Sequence, residues 1–189
     1  MLTPKQNMLE VIKGGNPDRF VNQYEAVQLL FHPFMFTNPL LQPGQENVVN
    51  AWGVTNTFPK GVPGSFPVHT PDKIVVKDIE DWKDYVHAPS LKFTQDQWDM
   101  VKAQYDAVDG EQAFKAAFVA PGLFEQTHHL CEISNALVYY ITNPDEMHDL
   151  IKYLTEWELE LAEGICSNLH PDALFHHDDW GGLDSTCLL

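Results

Sequence analysis

The residues best suited to chemistry sit together near the end of the chain. His176, His177, Asp178 and Asp179 follow directly on the apolar run Ala173-Leu174-Phe175. Imidazoles carry protons near neutral pH, and carboxylates act as general acids or bases. An apolar run that stops abruptly in such groups reads as a buried parallel strand whose carboxyl end opens into a site. Adjacent residues at a strand end point to opposite sides, so one of Asp178 and Asp179 faces the cleft while its neighbour anchors the loop. Asp178 is the choice for the cleft, and the reverse assignment stays open. His176 and His177 diverge for the same reason, so at most one of the two shares the cleft with the carboxylate and contacts the ligand; an ordinary hydrogen-bonded core histidine is the equal alternative.

A second group lies just after Pro121-Gly122, where Glu125, His128 and His129 open a predicted helix. It follows the strand-like run Ala113 to Ala120, and barrel enzymes place cleft residues at such strand-to-helix turns. One of these three is expected to face the same mouth as Asp178. His129-x-Cys131 has a spacing that zinc sites use, yet residues i and i+2 of a helix sit about 200° apart and do not converge on one ion. The metal ligands are therefore left unassigned. Trp52-Gly53 and the ring-rich loop with Phe34 and Phe36 wall a cavity or form plain core. No GxxxxGK, no GxGxxG after a strand and no GxSxG is present, so nucleotide binding and hydrolase-elbow chemistry have no support.

The elements that must position these groups follow from caps and periodicity. Thr3-Pro4 starts a short helix over Lys5 to Lys13 that ends at Gly14-Gly15. Phe20 to Val27 reads as a strand leading into a helix or loop, and His32 to Gly44, with three prolines and a glycine, as an ordered loop. Val48 to Phe58 is a strand or hairpin, and Phe66 to Lys77 an extended surface run. Helices are expected near Asp78 to His87, from Thr94 to Val108, and from Leu123 to Ile141 with a break at Ser134-Asn135. Asn143-Pro144-Asp145-Glu146 opens a long amphipathic helix reaching about Leu169. It feeds the strand Ala173 to Phe175. Strands alternating with helices imply a parallel sheet, hence an α/β fold, and residues 1–189 read as one domain.

With 44% hydrophobic, 20% charged and 12% aromatic residues, the chain has the proportions of a globular protein. Eleven Lys and Arg against 27 Asp and Glu give a formal charge of −16, which repels polyanions and removes the usual footprint for nucleic acid or anionic lipid. No export segment and no window long enough to span a bilayer is present, so the cytoplasm is the expected compartment. Cys131, Cys166 and Cys187 lack CxxC spacing, as expected of reduced thiols.

Read in order, Pro17-Asp18-Arg19, Trp52-Gly53-Val54, Pro121-Gly122-Leu123-Phe124-Glu125, Asn143-Pro144-Asp145-Glu146 and Pro171-Asp172 before His177-Asp178-Asp179-Trp180-Gly181 resemble the uroporphyrinogen decarboxylase superfamily. Within it the chain looks more like the corrinoid-dependent methyltransferases of the methylcobalamin:coenzyme M and O-demethylase types. The resemblance implies part of a (β/α)8 TIM barrel, since a whole one needs about 200 residues or more. It implies methyl transfer between a small methylated donor or thiol acceptor and cobalamin carried by a corrinoid protein, with zinc as a Lewis acid whose ligands lie beyond this chain. On this reading Asp178, His177 and Glu125 are catalytic, and Asp179, His176, Trp52 and His128 contact substrate. A piece of barrel would also have open sheet edges that favour pairing with another chain or a second copy. Phe20 to Phe31 lacks the arginines that grip a porphyrinogen's carboxylates, and Asn50-Ala51 stands where an aspartate is expected, so a carboxy-lyase is the runner-up. A truncated binding module without chemistry is the third reading.

Overall fold

The computed structural model describes residues 1–38 and 40–179, so Trp180, Gly181 and Gly182 of the carboxyl-terminal motif, and Cys187, lie outside the described residues. The chain is mixed α/β and divides into two compact units, each assembled from separate stretches of sequence.

The first unit comprises residues 1–33, 92–120 and 162–177. It holds helices α1 (Pro4–Ile12), α2 (Gln23–Ala26) and α5 (Gln95–Asp106), strands β1 (Val27–Leu30), β5 (Phe114–Val119) and β6 (Ala173–His176), and the end of α8 (Pro144–Leu169). The three strands form a parallel sheet in the order β1-β5-β6, with Val27 opposite Phe114, Ala116 opposite Ala173 and Val119 opposite His176. Thr3 and Thr94 start α1 and α5 with reciprocal capping boxes, closed by Gln6 and Gln97. The strand expected from Phe20 begins only at Val27, because Asn22 and Glu25 first wind a short turn in which Asn22 Nδ2 donates to Glu25 Oε1. Trp98, Val101, Tyr105, Ala116, Ala117 and Ile165 are buried here. Tyr105 donates its hydroxyl to the Phe31 carbonyl at 3.1 Å, and burial raises its pKa.

The second unit comprises residues 34–91 and 121–161 with Asp178 and Asp179. Its elements are α3 (Phe34–Thr37), a small antiparallel sheet of β2 (Val48–Val49), β3 (Thr55–Thr57) and β4 (Phe66–Pro67), α4 (Trp82–Tyr85), α6 (Leu123–Cys131), α7 (Ile133–Thr142) and most of α8. The expected hairpin is β2 and β3, paired Val48 to Asn56. The expected helix at 78–87 shortens to one turn, since Val86 is already extended ahead of Ala88-Pro89, and a residue preceding proline avoids helical geometry. The stretch from Phe66 does not stay on the surface: Val76 is buried and its N–H donates to the Leu130 carbonyl at 3.0 Å. Trp52, Val54, Val76, Ile79, Trp82, Leu130, Met147, Leu150 and Leu154 make the core. Trp157 packs its ring edge-on to Phe34 and to Trp52, with centroids 5.0 Å apart in both pairs, and its Nε1–H donates to the Pro89 carbonyl at 2.8 Å. Among the described residues the strands close no barrel, and no helix is long and apolar enough to cross a membrane.

Candidate functional site

The centre of the candidate site is the first turn of α6. A helix start leaves backbone N–H groups without intrahelical acceptors, and its N-cap here is Gly122, which has no side chain to supply one. Asp178 supplies it from 54 and 53 residues away: Oδ2 accepts from Phe124 N at 3.0 Å and Oδ1 from Glu125 N at 2.8 Å. A carboxylate at this end also meets the positive pole of the helix dipole. Oδ1 accepts as well from the N–H of Asp179 at 2.9 Å, which turns the chain away from Asp178.

Glycine at position 122 is explained by space and not by conformation. Its φ of −75° and ψ of −179° are ordinary extended backbone. A Cβ there would stand 2.5 Å from both Cβ and Cγ of Asp178. Gly122 and Asp178 therefore form a matched pair, one vacating the volume that the other fills.

Along α6 the side chains divide by face. Phe124, Gln126, Thr127, Leu130 and Cys131 are buried, while Glu125, His128 and His129 are half-buried. Thr127 donates to the Phe124 carbonyl at 2.7 Å, which leaves the Tyr140 hydroxyl as donor to Thr127 Oγ1 at 2.9 Å. His128 packs its ring on Phe124 with centroids 5.4 Å apart and meets His129 edge-on at 4.8 Å. Burial lowers the pKa of His128 and its neighbour His69 adds to this, while the carboxylates of Asp179, Asp178 and Glu132 pull the other way. His69 donates Nε2–H to the His129 carbonyl at 3.1 Å.

His129 Nε2 lies 3.7 Å from Glu125 Oε1. Burial, with His128 and His69 close by, pulls the His129 pKa down to about 3, so this is a contact between a neutral imidazole and a carboxylate and not an ion pair. Cys131 is wholly buried in the core, and burial pushes its thiol up to about 12. A zinc ligand must be a thiolate. His129 and Cys131 therefore do not fit a zinc pair.

α6 stops where Glu132 takes a φ of 73°. A positive φ on glutamate is uncommon and costly, and the side chain compensates by accepting the N–H groups of Ser134 and Asn135, each at 3.0 Å, as the cap of α7.

Of the remaining predicted residues, Asp179 is brought to Glu125, with a carboxylate oxygen of each within 4.8 Å of the other. His176 ends β6 and is exposed. His177 is exposed too; its N–H donates to the Val119 carbonyl at 2.9 Å, prolonging the β5-β6 ladder by one rung, and its ring lies 6.3 Å from that of Phe118. Asp179 is exposed. Trp52 is in the core, at 4% exposure, and Phe34 is buried with it while Phe36 is exposed. Sequence reasoning singled out neither Gly122 as a partner of Asp178 nor His32. The latter is buried at 1% exposure, and burial lowers its pKa to about 4 while the Phe118 backbone pulls the other way. The second unit also carries an open acidic cleft of about 490 Å³ bordered by Glu80, Glu146 and the pair Lys83 Nζ to Asp149 Oδ2 at 2.6 Å. None of the predicted site residues lines it.

Comparison with known proteins returned no match: no protein-family model, no curated protein and no solved structure is significantly similar to the chain.

Proposed function

We propose that the chain is a methyltransferase module of the uroporphyrinogen decarboxylase type, a part of a (β/α)8 barrel that takes a small methylated donor and passes its methyl group to cobalamin held by a corrinoid protein. The observation that carries this reading is the Asp178 clamp. Strands β5 and β6 are parallel neighbours, and parallel α/β folds build their sites from the segments leaving the carboxyl ends of such strands. The segment after β5 begins α6, the segment after β6 begins with Asp178, and Asp178 ties the two with hydrogen bonds of 2.8 and 3.0 Å. In this reading Asp178 positions, and Glu125, the residue whose N–H it holds, is the carboxylate that works.

Methyl transfer from an ether or amine leaves an oxygen or nitrogen that needs a proton. Glu125, half-buried beside neutral His129 and one helical turn from His128, takes that proton from solvent water and passes it to the departing oxygen or nitrogen in this proposal. Zinc, which the family resemblance implies, has no matching ligands in His129 and Cys131, so no step through zinc is assigned to this chain. A carboxy-lyase acting on a polycarboxylate gains no support, because Arg19, the nearest guanidinium to the arginine-free stretch that follows it, is already paired with Glu25 at 2.8 Å.

A second reading, a binding module without chemistry, is favoured by the full engagement of both Asp178 oxygens with main-chain N–H groups. One experiment separates the two. The full chain is mixed with free cob(I)alamin and, in turn, a methylamine and a methoxylated aromatic donor, and methylcobalamin is followed by its absorbance. Transfer that falls at least a hundredfold in Glu125→Gln supports the enzyme. Corrinoid binding without transfer assigns the chain to the binding reading.

A further inference from the structure

Helix α7, ISNALVYYIT, contains no charged residue, yet much of it faces solvent. Ile133, Leu137, Val138 and Ile141 are exposed at 41, 38, 54 and 83%. Their spacing of four and eight, with Val138 beside Leu137, lays them along one stripe of the helix. Contiguous exposed aliphatic surface of this kind marks a contact surface. The opposite side, with Ala136 buried and Tyr139 and Tyr140 half-buried, is the one that packs on the second unit's core.

Charge decides what covers the stripe. From Ala116 to Ile151 the chain has no lysine or arginine, while Glu125, Glu132, Asp145 and Glu146 fall within that span, together with Asp149, which is paired with Lys83. Glu132 caps one end of α7, and Asp145 and Glu146 follow its other end. A second copy is a poor occupant: a two-fold axis at Leu137 sets Ile133 of one copy against Ile141 of the other, which carries Glu132 toward the acidic pair at the opposite end. Each copy also bears −16. Like charges facing each other at a contact are repulsive. We infer that the α7 stripe docks onto a different protein, one presenting an apolar groove or helix face flanked by lysines and arginines, in the manner of an amphipathic helix in a groove. This inference stands apart from the methyl-transfer proposal and survives its failure.

The test uses a synthetic amphipathic helical peptide with a leucine face flanked by lysines, fluorescently labelled and titrated with the full chain. The expected result is saturable binding that weakens as salt rises and falls at least tenfold in Val138→Asp/Ile141→Asp. That variant adds two negative charges, so nonspecific attraction of a cationic peptide would strengthen where docking weakens. Leu159→Asp, at an exposed position of α8, controls for charge alone and is expected to bind as the wild type does. Circular dichroism confirms that each variant is folded. Absence of binding, equal binding by the doubly substituted variant, or equal binding of a peptide with glutamates in place of the lysines overturns the inference. So does sedimentation showing a dimer of the chain that the same substitutions abolish.

Discussion

Replacing Gly122 by alanine perturbs the clamp while leaving its backbone geometry allowed, since φ −75° and ψ −179° suit any residue. The added Cβ would fall 2.5 Å from Asp178 Cβ and Cγ and 2.7 Å from Oδ2, so Asp178 must shift with its backbone and its carboxylate leaves the helix end. Its departure releases two helix N–H groups, those of Phe124 and Glu125. Hydrogen bonds to charged groups contribute about 1.5 to 3 kcal/mol each when well buried, and loss of a helix N-cap costs about 1 kcal/mol. Asp178 is only half-buried, which places the joint loss between the cap value and the roughly 3 kcal/mol of two buried bonds, at about 2 kcal/mol for the pair. If α6 opens locally, about 2 kcal/mol corresponds to roughly 30-fold faster amide exchange. Hydrogen exchange followed residue by residue should therefore show the Phe124 and Glu125 amides accelerating by about that factor, with Ala116 and Ala117 in β5 unchanged. In the Asp178→Gly background both the Cβ and the carboxylate are already gone, so adding Gly122→Ala should cost less than about 1 kcal/mol, the ordinary N-cap preference for glycine over alanine. Unchanged exchange in Gly122→Ala, or a double variant whose loss is the sum of the two singles, refutes the matched pair.

His32 and His129 are held neutral by burial, with pKa values near 4 and 3 against 6.5 for a free imidazole. The unfolded chain thus binds more protons than the folded one below pH 6.5, and stability is complete above that pH and lost as pH falls toward the folded values. At pH 5 this amounts to roughly 2 kcal/mol per histidine, and urea titrations of His32→Leu should show about half the wild-type loss between pH 7 and 5. Cys131, buried and with its thiol pushed up to about 12, should resist iodoacetamide in the native chain and react only in urea, whereas exposed Cys166 is alkylated natively; peptide mass spectrometry reads both. Trp157→Phe removes the donor to the Pro89 carbonyl and trims the ring packed on Phe34 and Trp52, and should cost about 2 kcal/mol in urea unfolding.

What could be read before the structure was what local chemistry determines. Thr3 and Thr94 announce their helices because the cap and its reciprocal glutamine lie three residues apart. Asn143-Pro144 marks α8, and the apolar runs mark β5 and β6 as parallel strands, but β6 lies at the sheet edge with Ala173, Leu174 and His176 exposed, and so is not the buried strand its apolar run suggested. The break between α6 and α7 was expected at Ser134-Asn135 and occurs at Glu132, because a glutamate at φ 73° carries no glycine or proline to flag it. Asp178 and Glu125 were both legible as candidate site residues. Their relation was not: an aspartate capping a helix more than 50 residues earlier leaves no local pattern, and Gly122 resembles any turn glycine until the carboxylate beside it is seen. The burial of His32 is likewise a product of packing, with no periodicity to announce it.

The proposed methyl transfer is tested most directly by the yield of methylcobalamin when the full chain meets cob(I)alamin and a methylated amine or ether. The clamp and its neighbouring carboxylate predict transfer in the wild type, a loss of at least a hundredfold in Glu125→Gln, and a smaller loss in Gly122→Ala, which displaces the clamp but keeps Glu125. No methylcobalamin from the wild-type chain, or an undiminished rate in Glu125→Gln, contradicts the proposal.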